Sequence, residues 1–332
     1  MITKSIKTEQ ELQLLTLKQA CELLGCHPNT LRQWGKNGTL EAVRLGVRKD
    51  RRYRKEDVLK LMGKTSYIEN EKEALNVSEV RKDYFKEYAS LLVKLGELTE
   101  NSIFVDLPCG TGEMTSTLVK TGYGKKFYCI DINQEMINAA QKNILNTSKG
   151  VFKVGDAGDI ATLVPEKVDM IFCLNGFNIY IDRKEDFLKG CYNILKPGGV
   201  LIFDISTRGI HDKKSKEFLI EQKKELERLA KKLNAQCKMP EWPDESSMED
   251  YRQMAIKNNF SLNETVSIDK WTPATDMITD TLKIPGRLRP WLVGITEKQR
   301  IEIYKEASDI AIKKTGIETI KHSRVFFIAK KI

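Results

Sequence analysis

From residue 103 onward the apolar positions come in short runs separated by amphipathic stretches. "SIFVDL", "KKFYCID", "VFKVGDA", "KVDMIFCLN" and "GGVLIFDIS" read as strands. Between them, "GEMTSTLVKTG", "NQEMINAAQKNIL" and "KEDFLKGCYNIL" space their apolar residues as helices do. Such alternation predicts a doubly wound α/β fold with a mainly parallel sheet. Residues 65–97 read as a helical connector, with Val80, Tyr84, Phe85, Tyr88, Leu91, Leu92 and Leu95 on one stripe. Core packing is the simplest use of that stripe; Tyr84 or Tyr88 at the mouth of a ligand site is the alternative.

The first 64 residues follow another pattern. Thr16 and Gln19 have capping-box spacing and open a helix that Gly25 ends. Pro28 suits the first turn of a second helix. Leu17, Ala20, Leu23 and Leu24 form one apolar face, Leu31 and Trp34 the next. Two short helices joined by a glycine turn make a helix-turn-helix. A short strand "AVRLG", a basic tip "VRKDRRYR" and a helix "KEDVLKLM" come after it.

Charge divides the chain in the same place. Residues 1–64 hold 14 Lys/Arg against 7 Asp/Glu, so most of the net +9 lies there. A basic module ahead of a near-neutral one points to a polyanion as partner of the first alone. No apolar run reaches membrane-span length and "MITKSIKTEQ" has no signal-peptide pattern. The seven cysteines include no C-x-x-C pair, and Cys109, Cys129 and Cys173 lie in strand-like surroundings. Reduced, buried thiols in a cytoplasmic protein are therefore expected. Cys26 beside His27 is too small a set for a metal site, and no metal is expected.

Ligands of doubly wound sheets sit beyond the carboxyl ends of the strands. There stand Asp106, Asp131 and Asp156, ending the first three strands. Gly110 and Gly112 alone are ambiguous, because nicotinamide and flavin enzymes use similar turns. Thr115 stands where a third glycine would complete the dinucleotide fingerprint. An acid four residues before Gly110 is an awkward neighbour for a pyrophosphate and suits a cationic ligand instead.

"VDLPCGTG", "CIDINQEMI", "VGDAGDI", "VDMIFCLNGFNIYID" and "ILKPGGVLIFD", in that order, resemble the class I S-adenosylmethionine-dependent methyltransferases. "SSMEDYRQMAIKNNFSLNETVSID" and "SRVFFIAKK" resemble that family's late helix and last strands, which extends the likeness over residues 98–332. The resemblance implies a Rossmann-like seven-stranded sheet with S-adenosylmethionine as cofactor. It implies Asp106 at the methionine end, the backbone of Cys109, Gly110, Thr111 and Gly112 under the ligand, and Asp131 on the ribose hydroxyls. Ile132 and Met136 would pack on the adenine, Asp156 would take its amine, and Ala157 would bond the ring. Asn175 and Gly176, after the fourth strand, complete the cofactor-lining set. Pro108 departs from the family, which most often has glycine there, so the loop must differ slightly.

"LTLKQACELLG", "TLRQWGKNGTL" and "RRYRKEDVL" resemble the winged helix-turn-helix of the MerR and excisionase families, which implies double-stranded DNA as partner of a small, mainly α domain. On it, Asn29, Thr30, Arg32, Gln33 and Lys36 would lie along the major groove; Arg48, Arg51 and Arg52 suit phosphates, and Tyr53 either packs under the wing or touches sugar. One such module binds weakly, so a homodimer or a partner is expected.

The acceptor is expected to be a small molecule. The motif that amino-methylating DNA enzymes carry after the fourth strand is lacking, and Pro108-Cys109 follows the wrong strand for cytosine-C5 chemistry. Segments 209–245 and 269–321 stand where the family inserts substrate-covering helices. Within the first, Phe218, Gln222, Leu226, Leu229 and Leu233 form one stripe. His211 is the candidate general base, with Tyr180 and Asn178 as candidates for positioning the acceptor. The alternative is a transcription regulator whose methyltransferase fold senses S-adenosylmethionine or another ligand without turnover.

Overall fold

The computed structural model describes residues 14–24, 28–36, 40–46, 49–55, 57–58, 71–145, 147–178, 181, 183–208, 212–239 and 245–332. The chain begins with β1 (Leu14–Thr16), α1 (Leu17–Leu24), α2 (Pro28–Lys36), β2 (Val43–Leu45) and β3 (Asp50–Arg54). Next come α3 (Glu71–Leu95), β4 (Ile103–Asp106), α4 (Glu113–Lys120), β5 (Lys126–Asp131), α5 (Gln134–Asn143) and β6 (Gly150–Val154). They lead into α6 (Ile160–Leu163), β7 (Val168–Cys173), α7 (Lys184–Ile194), β8 (Leu195–Arg208), α8 (Lys213–Lys232) and β9 (Gln236–Cys237). The remainder is α9 (Glu245–Lys257), β10 (Phe260–Pro273), α10 (Ala274–Lys283), β11 (Leu292–Val293), α11 (Glu297–Thr315) and β12 (Thr319–Lys331). Among the described residues no helix is long and apolar enough to cross a membrane.

Two compact units result. One holds the described residues of Met1–Tyr67, Lys223–Pro240 and Pro285–Ser308; the other holds those of Ile68–Gln222, Glu241–Ile284 and Asp309–Ile332.

The larger unit is the expected α/β fold. Its seven strands run in the order β10-β12-β8-β7-β4-β5-β6. Strands β4 to β8 are parallel to one another, whereas β12 runs antiparallel to β8 and β10 antiparallel to β12. Alternating side chains of each strand feed two cores. Val105, Ile130, Ile171 and Phe203 meet Phe187, Leu188 and Cys191 of α7 on one face. Phe104, Phe127, Phe172 and Phe326 meet Leu92 of α3 and Leu118 of α4 on the other. Tyr88 is buried with its ring 5.3 Å from that of Phe326, so core packing is its use. The Tyr84 side chain lies outside the described residues.

The smaller unit starts as the sequence predicts. Thr16 N donates to Gln19 Oε1 at 2.9 Å and Gln19 N to Thr16 Oγ1 at 3.2 Å, a reciprocal cap on α1. Strands β1, β3 and β2 form a small sheet in that order. Ala20, Leu24, Leu31, Trp34, Leu40, Tyr53 and Val58 are its core, and Val293 of β11 belongs to that same core. Strand β11 pairs with β9, and Lys238 Nζ approaches the Leu24 carbonyl at 3.5 Å. Gly294 has φ +91°, and a Cβ there would stand 3.0 Å from the Trp34 indole nitrogen.

One expectation changes here and another is narrowed. Parts of the segments expected to cover a substrate, 223–240 and 285–308, instead fold with the N-terminal module. The reason is apolar: Val293 is only 1% exposed and is buried in the same core as Ala20, Leu31 and Trp34. Of the two uses open to Tyr53, packing under the wing is the one its burial matches. Tyr53 is fully buried, and that burial raises its hydroxyl pKa above the usual tyrosine value.

Val293→Asp would place an unpaired charge in that core, at a cost of several kcal/mol. Hydrogen exchange should then speed up in α1 and α2 while amides of β4, β5 and β7 keep their protection.

Candidate functional site

The site is built at the carboxyl ends of β4, β5 and β6. Asp131 ends β5, and its side chain is 6% exposed as a residue in the chain alone. Its Oδ2 accepts from Gly110 N at 2.9 Å and its Oδ1 from Asn133 N at 2.9 Å. One carboxylate thus ties the strand to the glycine turn and to the start of α5. Asn133 then caps α5, accepting from Glu135 N and Met136 N at 2.7 and 3.2 Å.

The glycine turn is held from beneath. Cys109 N donates to Ile130 O at 2.9 Å, and Asn143 Nδ2 donates to Thr111 O at 2.9 Å. Gly110 and Gly112 have φ of +53° and +74°, a region that other residues rarely enter. Gly112 also packs closely, since a Cβ there would lie 2.8 Å from Ile144. Gly110 has open space where its Cβ would be, so the turn presents bare backbone on that side.

Asp106 is buried, and Thr115 Oγ1 donates to its Oδ2 at 2.7 Å. Burial pushes its carboxyl up to about 8; Thr115 opposes the rise and the nearby Asp131 adds to it. Asp156 is more open. Its Oδ1 accepts from Gly158 N at 2.7 Å and lies 3.7 Å from Arg183 Nη1. Ile132 is 53% exposed although it directly follows a buried strand, and Met136 is buried close behind it in sequence. Ala157 opens the turn that Asp156 caps.

The other rim follows β7. A Cβ on Gly176 would lie 2.4 Å from Pro108 Cδ, so the Pro108 ring occupies the space that this glycine leaves. The family departure at 108 is matched there. Asn175 has φ +58°. Its N–H donates to the fully buried Asp204 at 2.6 Å, and Arg324 bonds both Asp204 and the Asn175 side-chain oxygen. Phe177 is buried, with its ring centroid 4.3 Å from that of Phe203. Nothing in the sequence pointed to Asp204 and Arg324 as partners in this rim, or to Thr115 as the partner of Asp106. Asn178 is half-buried in the same loop, while His211 and Tyr180 lie outside the described residues.

On the small unit, Asn29 and Arg32 are exposed on α2, and Arg32 Nη1 donates to Asn29 Oδ1 at 2.6 Å. Arg51 and Arg52 are half-buried on β3. Residue Arg48 and the side chains of Thr30, Gln33 and Lys36 lie outside the described residues.

Comparison with known proteins agrees with both halves. Residues 105–203 match a family described as a methyltransferase domain, and residues 14–66 one described as a helix-turn-helix domain. The YqeM protein of Bacillus subtilis strain 168, classed by inference as a methyltransferase, is 30% identical over 111 residues. That stretch is 32% of this chain and 44% of YqeM, so the likeness spans less than half of that relative. A Bacillus halodurans C-125 structure, also classed by inference as a methyltransferase, covers 74% of this chain and 99% of its own, at 15% identity and TM-score 0.50. The YcgJ structure from Bacillus subtilis covers 74% and 98%, at 16% identity and TM-score 0.49. The chain thus carries a Rossmann-like sheet within which residues 105–203 match a methyltransferase domain, and an N-terminal region, residues 14–66, that matches a helix-turn-helix domain.

Gly176→Ala should force the Pro108 ring aside and lower stability by about 1–3 kcal/mol, read by denaturant unfolding. Asp106 holds its proton in the folded chain up to about pH 8 but loses it near pH 4 when unfolded. Between those values the folded state binds the extra proton, so stability falls as pH rises, by up to about 1.4 kcal/mol per pH unit. Asp106→Asn should remove that part of the slope in unfolding curves taken from pH 5 to 8.

Proposed function

We propose that the methyltransferase domain binds S-adenosylmethionine across the ends of β4, β5 and β6 and transfers its methyl group to a small-molecule acceptor, while the helix-turn-helix unit binds double-stranded DNA. The observation that carries this reading is the set of three acids at adjacent strand ends around a bare glycine turn. That set suits a ligand with a cationic amino-acid end, two ribose hydroxyls and an amino-bearing base, and is ill-suited to a pyrophosphate.

When bound, S-adenosylmethionine supplies a methyl carbon already activated by its sulfonium. The residues of the chain have the task of alignment. Asp106 would meet the ammonium, and Asp131, already fixed through Gly110 and Asn133, would accept from the ribose hydroxyls. Ile132 would be covered by the base, which accounts for its exposure in the chain alone. Asp156 would accept from the amino group of the base and Ala157 would bond the ring. Asn175 and Gly176 would line the cofactor from the β7 side, with Tyr180 and His211 as candidates to orient or deprotonate the acceptor.

DNA binding is supported by charge. Beyond the N-terminal surplus, residues 223–240 hold six Lys/Arg against two Asp/Glu and residues 285–308 five against three. The whole reader unit is thus strongly basic, and the other unit is net acidic. A transcription regulator whose methyltransferase fold senses S-adenosylmethionine or another ligand without turnover is the second reading. What favours it is that the reader core includes Val293, from a segment inserted within the methyltransferase chain.

Calorimetry with S-adenosylmethionine and S-adenosylhomocysteine tests the first reading. Both should bind, and Asp131→Ala should weaken each about ten- to a hundredfold, the scale of hydrogen bonds to a charged acceptor. Affinity should also rise with pH up to about 8, because an ammonium needs Asp106 ionised. Unchanged affinity in Asp131→Ala would remove the assignment. Methyl release to an acceptor separates the enzyme from the sensor; DNA affinity that changes with S-adenosylmethionine but without turnover favours the sensor.

A further inference from the structure

Arg183 precedes α7 at its N-cap and ends the loop that leaves β7 on the acceptor side. Its guanidinium faces three carboxylates. Nη1 lies 2.8 Å from Asp159 Oδ1 and 3.7 Å from Asp156 Oδ1, and Nε lies 2.9 Å from Asp186 Oδ2. The group rests directly on the backbone of Gly158, where a Cβ would stand 2.9 Å from Arg183 Cζ and Nε. Gly158 N in turn donates to Asp156 Oδ1.

Stability does not explain this cluster. The Arg183 side chain is 47% exposed, and ion pairs at such exposure contribute about 0–1 kcal/mol. Three acids face this one base. What the arrangement does is geometric. Asp159 and Asp186 fix the planar fork, the fork covers Gly158, and the Gly158 amide and the guanidinium together engage one oxygen of Asp156. The other oxygen is then the acceptor offered to a ligand.

We propose that Arg183 is a positioning residue that sets the Asp156 carboxylate to receive the amino group of a purine base, making this end of the site selective for adenine over its 6-oxo counterpart. The inference rests on the S-adenosylmethionine reading above. A 6-oxo purine presents an acceptor and a ring N–H where adenine presents an amine, so a fixed carboxylate oxygen discriminates between them. Without the fork, Asp156 would be repelled by Asp159 and would turn toward solvent, and the discrimination would go with it.

The test is calorimetric affinity of the full chain for S-adenosylhomocysteine and for S-inosylhomocysteine, in wild type, Arg183→Gln and Gly158→Ala. The second variant keeps the arginine but displaces its fork, and thermal unfolding confirms that each variant is folded. Wild type should prefer the adenine ligand by about tenfold or more, the scale of one hydrogen bond to a charged group. Both variants should bring the preference below about threefold. An unchanged preference in the two variants, an equal loss for both ligands, or no preference in wild type would overturn the role of Arg183 and leave the cofactor reading standing. Failure of wild type to bind either ligand would instead remove the cofactor reading itself.

Discussion

Asp131 is the constraint around which the site is arranged. Its two oxygens are engaged by backbone amides on either side, Gly110 in the turn and Asn133 at the start of α5. Hydrogen bonds to a carboxylate are stronger than those between neutral groups. The turn can therefore keep two left-handed glycines and still have one shape. Because β5 is an inner strand, paired in parallel with β4 on one side and β6 on the other, the carboxylate is presented from a rigid base, as a precise ligand site requires.

The facing rim is kept by long-range partners of different chemistry. The Pro108 ring fits against a glycine at 176, a steric match that compensates for the rigidity proline brings to the turn. Arg324 of β12 and Asp204 of the adjacent β8 form a buried pair and hold Asn175 in a backbone conformation that non-glycine residues seldom adopt. A buried pair of this kind contributes little net stability but fixes a geometry that an apolar pair could not. The two rims differ in charge as well: acids dominate the β4 to β6 side, while the Asp204 carboxylate is neutralised by Arg324.

Much of this was legible in the sequence for local reasons. Strand ends, the acids that mark them, the α1 capping box and the apolar stripe of α8 all depend on residues a few positions apart. The stripe held from Phe218 to Leu229, and Leu233 proved more open, at 38% exposure. The partners that were not legible are distant in the chain: 120 residues separate Asp204 from Arg324 and 149 separate Asn175 from Arg324. The two-residue strands β9 and β11 are too short to show any period, so nothing announced that Val293 would enter the core of the small unit. Tyr53 illustrates a different limit. An aromatic among arginines suggests nucleic acid contact, but alternation along β3 turned that one position inward while its neighbours stayed more open.

In the proposed reading the ends of β4, β5 and β6 form one cradle for one ligand. Hydrogen exchange of the full chain with and without S-adenosylhomocysteine tests it most directly. The account predicts slower exchange at residues 109–112, 132–136 and 157–159 together, at the same ligand concentration. Protection at only one of these segments, or at none of them despite measured binding, would contradict it.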